Sequence, residues 1–465
     1  MTVAKYVPEA EIIQNDKIYS RLYDEINELA LKYHIESYGC QMNDHDSEKL
    51  AGMLEKLGYT KAPSKNDADI IIFNTCCVRE HAELRVFGNI GALKQQKDEK
   101  PGLMIGVCGC MMQQKDVAQK LYKRFPFVDF VFGTHELHRF PALFETAYSG
   151  ERVFAVRDIE GEIAEGLPII RAGTFSTSIT IMYGCDNFCT YCVVPYVRGR
   201  ERSRRPLDVL NEAQGLAMAG YKEITLLGQN VNSFKGDGLA RDFPALLKLL
   251  NDESGIKRIR FMTSHPKDLS QSLVEALGTL ERVCNHIHLP VQSGSSRVLA
   301  AMNRKYDREQ YLSLVESLRQ GVPGIEITTD VIVGFPGETD ADYDDTLSLM
   351  CEAGFSAAYT FMYSKREGTK ASLMPQQVPQ DVKKQRLAGL NSLQAKLLHE
   401  GNHKYMGTTG EVLIEGCDQR NVPMAFGKLP NFKMVYFPGE DAMIGSIKAV
   451  KITDVQHNSL IGELI

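Results

Sequence analysis

At 465 residues the chain is long enough for about three domains, each able to bury its own core. Its 53 Lys and Arg against 59 Asp and Glu leave a formal net charge of −6, which excludes a globally basic nucleic-acid wrapper and confines any RNA contact to a local patch. No stretch approaches the roughly 18 apolar residues of a membrane span, and the opening MTVAKYVPEAEIIQNDK holds no apolar signal core, so no membrane is expected and the expected address is cytoplasmic.

Taken in chain order, residues 1 to about 30 are polar, carry no clean period and read as a surface extension. From about residue 33, short apolar runs alternate with amphipathic stretches, the pattern of parallel α/β structure. The runs are YHIESYGC (33–40), DIIIFNTC (69–76), LMIGVCGC (103–110) and FVDFVFG (127–133). A helix is expected after the first of them, with Asp44 as N-cap and Gly58 as its stop. The Gly-rich, charged segment 149–168 reads as a linker. A second alternation follows, with strand candidates STSITIMYG, KEITLLG, IRFMTS, HIHLPV, EITTDVIVGF and AAYTFMYS. Six such units in series predict an incomplete (β/α) barrel with its chemistry at the carboxyl ends of the strands. A long helix pattern closes it, and short strands (GEVLIEG, KMVYFPG, SIKAVKITDV, SLIGELI) read as a small β-barrel.

Eleven cysteines in a chain without an export signal are reduced thiols available to metal. Cys185, Cys189 and Cys192 form a C-x3-C-x2-C run directly after the first barrel strand. Three thiolates from one loop can hold three irons of a 4Fe-4S cube and leave the fourth open. A zinc knuckle or a ferredoxin loop would want a fourth ligand nearby, and none follows at the usual spacing. Cys40, Cys76 and Cys110 each stand at the carboxyl end of a predicted parallel strand, along the edge where open α/β sheets bind ligands; the bland alternative is three small core residues. Cys77 should face away from Cys76, and Cys108 lies one pleat behind Cys110. Both read as spare thiols. Cys284, Cys351 and Cys417 read as packing residues.

The C-x3-C-x2-C run resembles the radical S-adenosylmethionine (SAM) superfamily. With SYGCQMN, NTCCVRE, GCMMQ, GCDNFCTYCVVPYVRGRERSR, LLGQNVNS, TSHP, LPVQSGS and DVIVGFPGET, the chain resembles the methylthiotransferase family over roughly residues 33–465. The resemblance implies an N-terminal extension (1–32), an auxiliary-cluster domain (33–149), a linker (150–170), a radical-SAM domain (171–401) and a TRAM domain (402–465). The implied fold class is α/β: an open parallel sheet of Rossmann or flavodoxin type, a partial (β/α)6 TIM-like barrel, and a small all-β, OB-like TRAM barrel. It implies two 4Fe-4S clusters, the auxiliary one on Cys40, Cys76 and Cys110 and the SAM-binding one on Cys185, Cys189 and Cys192. Cys77 and Met112 stand where the family more usually has a small residue, which leaves Cys77 as a rival to Cys76.

Given a SAM site, Gln229, Asn230, Gln292 and Ser293 on the barrel loops can meet the amino-acid and ribose ends of the cofactor. Gly334 and Pro336 admit the adenine, Asp330 and Glu338 are candidates for ribose or amino contacts, and Arg304 for a carboxylate. His265, His286 and His288 read as structural, with His265 the nearest to lining the pocket. RGRERSRR (198–205) places Arg198, Arg200, Arg202, Arg204 and Arg205 beside the cluster loop, where arginine forks suit phosphates; a solvated face is the plain alternative. The terminal module has six Lys or Arg against seven Asp or Glu, so its RNA role is implied by the TRAM resemblance and not by charge.

The resemblance implies a methylthio transfer to carbon 2 of N6-isopentenyladenosine at tRNA position 37. One SAM would methylate a sulfur on the auxiliary cluster and a second would give the 5′-deoxyadenosyl radical. Expected partners are the tRNA anticodon stem-loop, a low-potential electron donor such as flavodoxin or ferredoxin, and sulfur- or cluster-delivery proteins, with the chain a monomer. Rival readings are the same chemistry on threonylcarbamoyladenosine or on a ribosomal protein aspartate, and an RNA-binding iron–sulfur electron carrier.

Overall fold

The apolar runs that end in cysteine form one parallel sheet. A computed structural model of the chain describes residues 5–77, 82–157, 161–419, 423–456 and 458–465, arranged as two compact units. The first holds the residues up to Ala172 with Met182–Asp186 and Val193–Arg204. It begins with α1 (Glu9–Glu28), β1 (Lys32–Ser37), α2 (Gln41–Lys56), β2 (Thr60–Lys61) and β3 (Ile70–Thr75). There follow α3 (Ala82–Glu99), β4 (Met104–Gly109), α4 (Lys115–Arg124), β5 (Phe130–Phe132), α5 (Phe140–Tyr148) and β6 (Val153–Ala155). The strands are parallel, in the order β2-β1-β3-β4-β5-β6. β3 and β4 are buried at every position because helices cover both faces, which is why they read as continuous apolar runs. Leu50, Met53 and Leu54 of α2 pack with Phe140 and Phe144 of α5 on one face; Val86 and Ile90 of α3 pack with Ala118 and Leu121 of α4 on the other.

Three expectations are corrected here. The surface extension is a helix in the core: Ile18, Tyr19, Leu22 and Ile26 of α1 are buried in the cluster that holds α2 and α5. They form a helical stripe that charged neighbours on the other faces obscure in the sequence. Within the linker, β6 adds a strand beside β5, and buried Ile163 exchanges backbone hydrogen bonds with Lys5 and Val7. The first helix after β1 starts three residues before Asp44, so that Cys40 itself is its N-cap. Val78–Glu80 of NTCCVRE and residues 158–160 of the linker lie outside the described residues.

The second unit comprises Gly173–Ile181, Asn187–Cys192 and Arg205–Ile465. It opens with β7 (Ser176–Thr180). Three short elements then return to the first unit, β8 (Met182–Tyr183), α6 (Val194–Val197) and β9 (Arg202–Ser203), β8 pairing with β9. The second unit resumes with α7 (Pro206–Met218), β10 (Glu223–Leu227), α8 (Phe243–Glu253), β11 (Arg258–Phe261), α9 (Gln271–Thr279) and β12 (His286–His288). It continues with α10 (Ser296–Ala301), α11 (Arg308–Gly321), β13 (Glu326–Val333), α12 (Asp340–Ala353), β14 (Ala357–Met362) and α13 (Gln380–Asn402). The parallel sheets β7-β10-β11 and β12-β13-β14 meet at a parallel bridge between Ile259 and Val283. The six expected strands of the partial barrel are thus present.

The chain ends in a closed barrel of β15 (Thr409–Asp418), β16 (Met424–Lys428), β17 (Met434–Pro438), β18 (Ile447–Val455) and β19 (Leu460–Leu464), in the order β15-β16-β17-β19-β18. It seats against the amino ends of the parallel strands. Arg258 donates to the carbonyls of Lys428 (2.9 Å) and Glu411 (2.8 Å), and Arg260 to those of Pro430 (2.7 Å) and Leu429 (2.8 Å). Phe432 stacks on His286 with ring centroids 4.6 Å apart. His286 and His288 share Thr328 Oγ1 at 3.0 Å each, as expected of structural histidines. Among the described residues no helix is long and apolar enough to cross a membrane.

Candidate cluster and cofactor sites

Cys40, Cys76 and Cys110 follow the carboxyl ends of β1, β3 and β4, and one buried side chain ties their backbones together. The Asn43 amide donates to the carbonyls of Tyr38 (3.0 Å) and Thr75 (2.9 Å), while its Oδ1 lies 3.6 Å from Cys110 Sγ and 4.0 Å from Cys40 Sγ. Cys40 caps the amino end of α2, where burial and then the neighbouring Cys110 push its thiol up against the lowering effect of the Arg198 charge and the helix N–H groups of Met42 and Asn43. Gly39 stands at φ +127°, and a Cβ there would lie 2.5 Å from Cys76 Cβ and 2.8 Å from Cys76 Sγ. The backbone before Cys40 is therefore free to run against Cys76 only because position 39 has no side chain. Asn43 lies in the SYGCQMN motif, but its role as the common tie depends on carbonyls from two strands, which no local pattern displays.

Cys77 is not a spare thiol apart from the others, because it reaches Cys110. Past Thr75 the chain leaves the extended form, so strand alternation no longer governs it, and Cys77 packs with Cys110, Val193 and Val197. The Cys110 thiol is pulled down to about 6, first by the hydrogen bond from Cys77 and then by the Arg198 charge, against the opposing effect of burial. Cys108 is buried behind it with its thiol pushed well up by desolvation. No three Cys, His, Asp or Glu among the described residues close around a single ion; a four-iron cube is several ångströms across and calls for thiolates held apart. Three thiols at one sheet edge, with hydrogen-bond donors among them, fit such a group.

The arginine run divides. Arg198 is buried, with Nε 3.1 Å from Cys110 Sγ, Nη2 3.0 Å from Asn43 Oδ1 and Nη1 2.8 Å from Asp46 Oδ2. Arg204 is also buried and forks onto Glu165 at 2.7 Å through Nε and Nη2. Arg202 folds back on the carbonyls of Arg198 and Arg200. Neither Arg198 nor Arg204 presents its guanidinium to a phosphate, because each is spent on a carboxylate inside the fold. Arg200 and Arg205 are the exposed members, with side chains 60% and 57% accessible.

In the SAM-type run, Cys185 belongs to the first unit, its N–H donating to Gly199 O at 3.1 Å. Cys189 and Cys192 belong to the second and are joined by a tight turn, Cys192 N to Cys189 O at 3.0 Å. Arg304 is held inside the second unit by its own partners. It is buried, donating to Pro290 O (2.8 Å) and Tyr306 Oη (2.8 Å), with Nη1 3.4 Å from Cys189 Sγ.

Several other residues expected to touch SAM are engaged within the barrel. The Asn230 amide joins Asp268 Oδ2 (2.7 Å) to the His265 N–H (3.1 Å), and Ser293 Oγ accepts from Ser295 N (3.2 Å). Buried Glu338 pairs with Arg386 and accepts from Gly334 N, both at 2.7 Å. Gly334 at φ +73° lies so close to Lys383 that a Cβ would come within 2.3 Å of it, and Pro336 beside it is buried. Asp330 is half-buried, 3.4 Å from His288 Nε2. Gln229 is partly buried at the end of β10, and Gln292 is held at φ +73° by backbone pairing with Val331.

The loops after β10 and β11 hold an unmet demand instead. Asn232 Nδ2 and Oδ1, Ser264 Oγ and His265 Nε2 are shielded from water and have no hydrogen-bond partner among the described residues. A buried polar atom left unpaired costs about 1–3 kcal/mol and calls for a group that completes it. All three residues stand at the carboxyl side of the barrel strands, where a ligand with amino, carboxylate and hydroxyl groups fits. Sequence reading passed over Asn232 and Ser264 because they differ from neighbouring loop residues only in lacking a partner. Burial holds the His265 imidazole down to about 2, so it meets a ligand as a neutral ring.

Three family descriptions match the chain: an uncharacterized protein family, UPF0004, over residues 32–133, the radical SAM superfamily over 179–350, and the TRAM domain over 403–465. The tRNA-2-methylthio-N(6)-dimethylallyladenosine synthase of Thermoanaerobacter sp. (strain X514) is 49% identical over 463 residues, covering 99% of this chain and 98% of that protein. The synthase of Clostridium tetani (strain Massachusetts / E88) is 51% identical over 433 residues, 93% of this chain and 96% of its own. The chain belongs to the tRNA-2-methylthio-N(6)-dimethylallyladenosine synthase family. Among solved structures, the radical S-adenosylmethionine methyltransferase TsrM from Kitasatospora setae shares the fold of this synthase family member, with a TM-score of 0.54 at 14% identity over 74% of this chain and 77% of that one. The expected fold class holds, as do the enzyme class of radical-SAM methylthiotransferase and the cofactors, 4Fe-4S clusters and SAM.

Proposed function

We propose that the chain adds a methylthio group to carbon 2 of N6-isopentenyladenosine at position 37 of tRNA, consuming two SAM per turnover. The observation that carries this reading is the second set of thiols, Cys40, Cys76 and Cys110, gathered at one sheet edge around Asn43; a radical-SAM barrel alone needs only one set. Near full-length identity to synthases named for this base supports the substrate. In this reading those thiols hold the auxiliary cluster in 33–149, and Cys185, Cys189 and Cys192 hold the SAM-binding cluster of the barrel domain, 171–401.

When bound, the two clusters and SAM supply the electron, the 5′-deoxyadenosyl radical and the methylated sulfur that an aromatic C–H bond, with no acidic proton to remove, demands. The chain's own residues bind and orient. Asn232, Ser264 and His265 offer their unpaired atoms to the polar ends of SAM, with Gln229 and Asp330 beside them. Asn43 keeps the auxiliary thiols in register, since orientation is worth several kcal/mol. The terminal barrel, 402–465, contacts the anticodon stem-loop, and the target base is turned out of its stack to reach the barrel mouth. We place the enzyme in the cytoplasm as a monomer, served by a flavodoxin or ferredoxin and by cluster-delivery proteins.

The test is nucleoside analysis of tRNA from a strain lacking the gene, with the anaerobically reconstituted protein added back in vitro. Loss of 2-methylthio-N6-isopentenyladenosine, and its return with release of 5′-deoxyadenosine, is the expected result. Loss confined to the threonylcarbamoyl nucleoside or to a ribosomal protein aspartate would redirect the substrate, and absence of 5′-deoxyadenosine would leave an electron carrier.

The RNA surface has its own test. Arg200 and Arg205 pair with exposed or partly exposed carboxylates, Asp186 and Asp208, and such surface pairs are weak enough for phosphate to displace. Replacing both arginines by glutamine flattens the slope of log K against log salt for tRNA by about 1–2 units. An unchanged slope makes them a solvated face.

A further inference from the structure

Arg198 sits in the run first expected to meet RNA, six residues past Cys192, yet all of its nitrogens point into the auxiliary site. Nε reaches Cys110 Sγ at 3.1 Å, Nη2 reaches Asn43 Oδ1 at 3.0 Å and Nη1 pairs with Asp46 Oδ2 at 2.8 Å. Three partners in three directions need a planar fork; the single ammonium of lysine cannot serve them together. The arginine is 6% exposed and Asp46 7%, so solvent screens the pair little.

We infer that Arg198 is a positioning residue for the auxiliary cluster, which fixes the Cys110 sulfur and raises the reduction potential of the group that sulfur holds, with Asp46 as the opposing charge. The inference rests on the reading that Cys40, Cys76 and Cys110 carry a 4Fe-4S cluster. Hydrogen bonds to the sulfurs and the local net charge set where such a cluster falls within its range of potentials. One-electron reduction adds a negative charge to the cluster. A buried cation donating to a ligand sulfur favours the reduced form, and a buried carboxylate 2.8 Å behind that cation opposes it. Removing each should therefore move the potential in opposite directions, which a purely structural pair would not do.

The experiment uses the full-length chain carrying C185A, C189A and C192A, so that only the auxiliary cluster contributes. Iron and sulfide are counted, and the reduced cluster is followed by paramagnetic resonance during a reductive titration, in this background and with R198Q, R198K or D46N added. About four irons in the background are expected; none would overturn the cluster assignment itself, a failure distinct from that of the inference. With iron retained, R198Q lowers the midpoint, shifting the reduction equilibrium about tenfold, or 59 mV for a one-electron couple. R198K moves it part of the way, and D46N raises it. Unmoved midpoints, or R198Q and D46N moving in the same direction, overturn the role. Should R198Q fail to hold iron, D46N decides alone: a rise supports the inference and no rise overturns it.

Discussion

Alanine at Cys40, Cys76 or Cys110 abolishes methylthio transfer while reductive cleavage of SAM to 5′-deoxyadenosine continues. The two activities separate because the two sets of thiols lie on different loops, one at the ends of β1, β3 and β4 and the other after β7. Product formation should fall by at least about three orders of magnitude, the scale seen when one member of a group acting as a unit is lost. Cleavage, measured as 5′-deoxyadenosine per chain, should stay within a few-fold. The informative control is Cys77→Ala. Its thiol donates to Cys110 and packs against Val193 and Val197, so its loss should leave iron near the full complement, whereas Cys76→Ala halves it. If Cys77→Ala loses the iron and Cys76→Ala keeps it, the ligand set shifts by one residue.

The second large effect comes from an atom that is absent. Gly39→Ala places a methyl group 2.5 Å from Cys76 Cβ, at a φ of +127° that L-residues rarely adopt. The conformational cost is about 1–3 kcal/mol, and contact with backbone-proximal atoms adds to it. Relief requires Cys40 and Cys76 to separate, which disperses the thiols. Iron per chain should fall from about eight to about four, with SAM cleavage retained. Full iron with unchanged stability would mean that the loop relaxes without moving either thiol. Gly109, before Cys110, makes the same kind of approach at φ +96°, where a Cβ would meet Thr75 O at 2.4 Å.

The strands and their cysteines were legible because buried parallel strands announce themselves as unbroken apolar runs, and a cysteine that ends such a run must stand at the sheet's carboxyl edge. The arginines were not. Nothing in RGRERSRR distinguishes Arg198, whose partner Asp46 is distant in sequence, from exposed Arg200. Burial of a charge is decided by the carboxylate that meets it, and that meeting is tertiary. The partners of Arg304 were hidden for the same reason: they are a carbonyl, a phenol and a cysteine sulfur brought together inside the barrel. The helix at 9–28 was hidden differently. Its stripe of Ile18, Tyr19, Leu22 and Ile26 has helical spacing, but Asn15 is buried on the same face and hydrogen-bonds to His138 O, which breaks the apolar signal.

The seating of the terminal barrel bears on how its role can be studied. The segment around Phe432 covers the amino ends of β11 and β12, and the four arginine–carbonyl hydrogen bonds that hold the terminal barrel, three to Lys428–Pro430 and one to Glu411, belong as much to the larger barrel as to the smaller one. Truncating the chain after α13 would bare Arg258, Arg260 and the His286 ring to water at the amino ends of the parallel strands. A carbon radical generated inside survives only where side reactions are kept out. A truncated enzyme would thus forfeit chemistry and RNA affinity together, and the module's grip on tRNA is better measured by substitutions on its outer strands than by its removal.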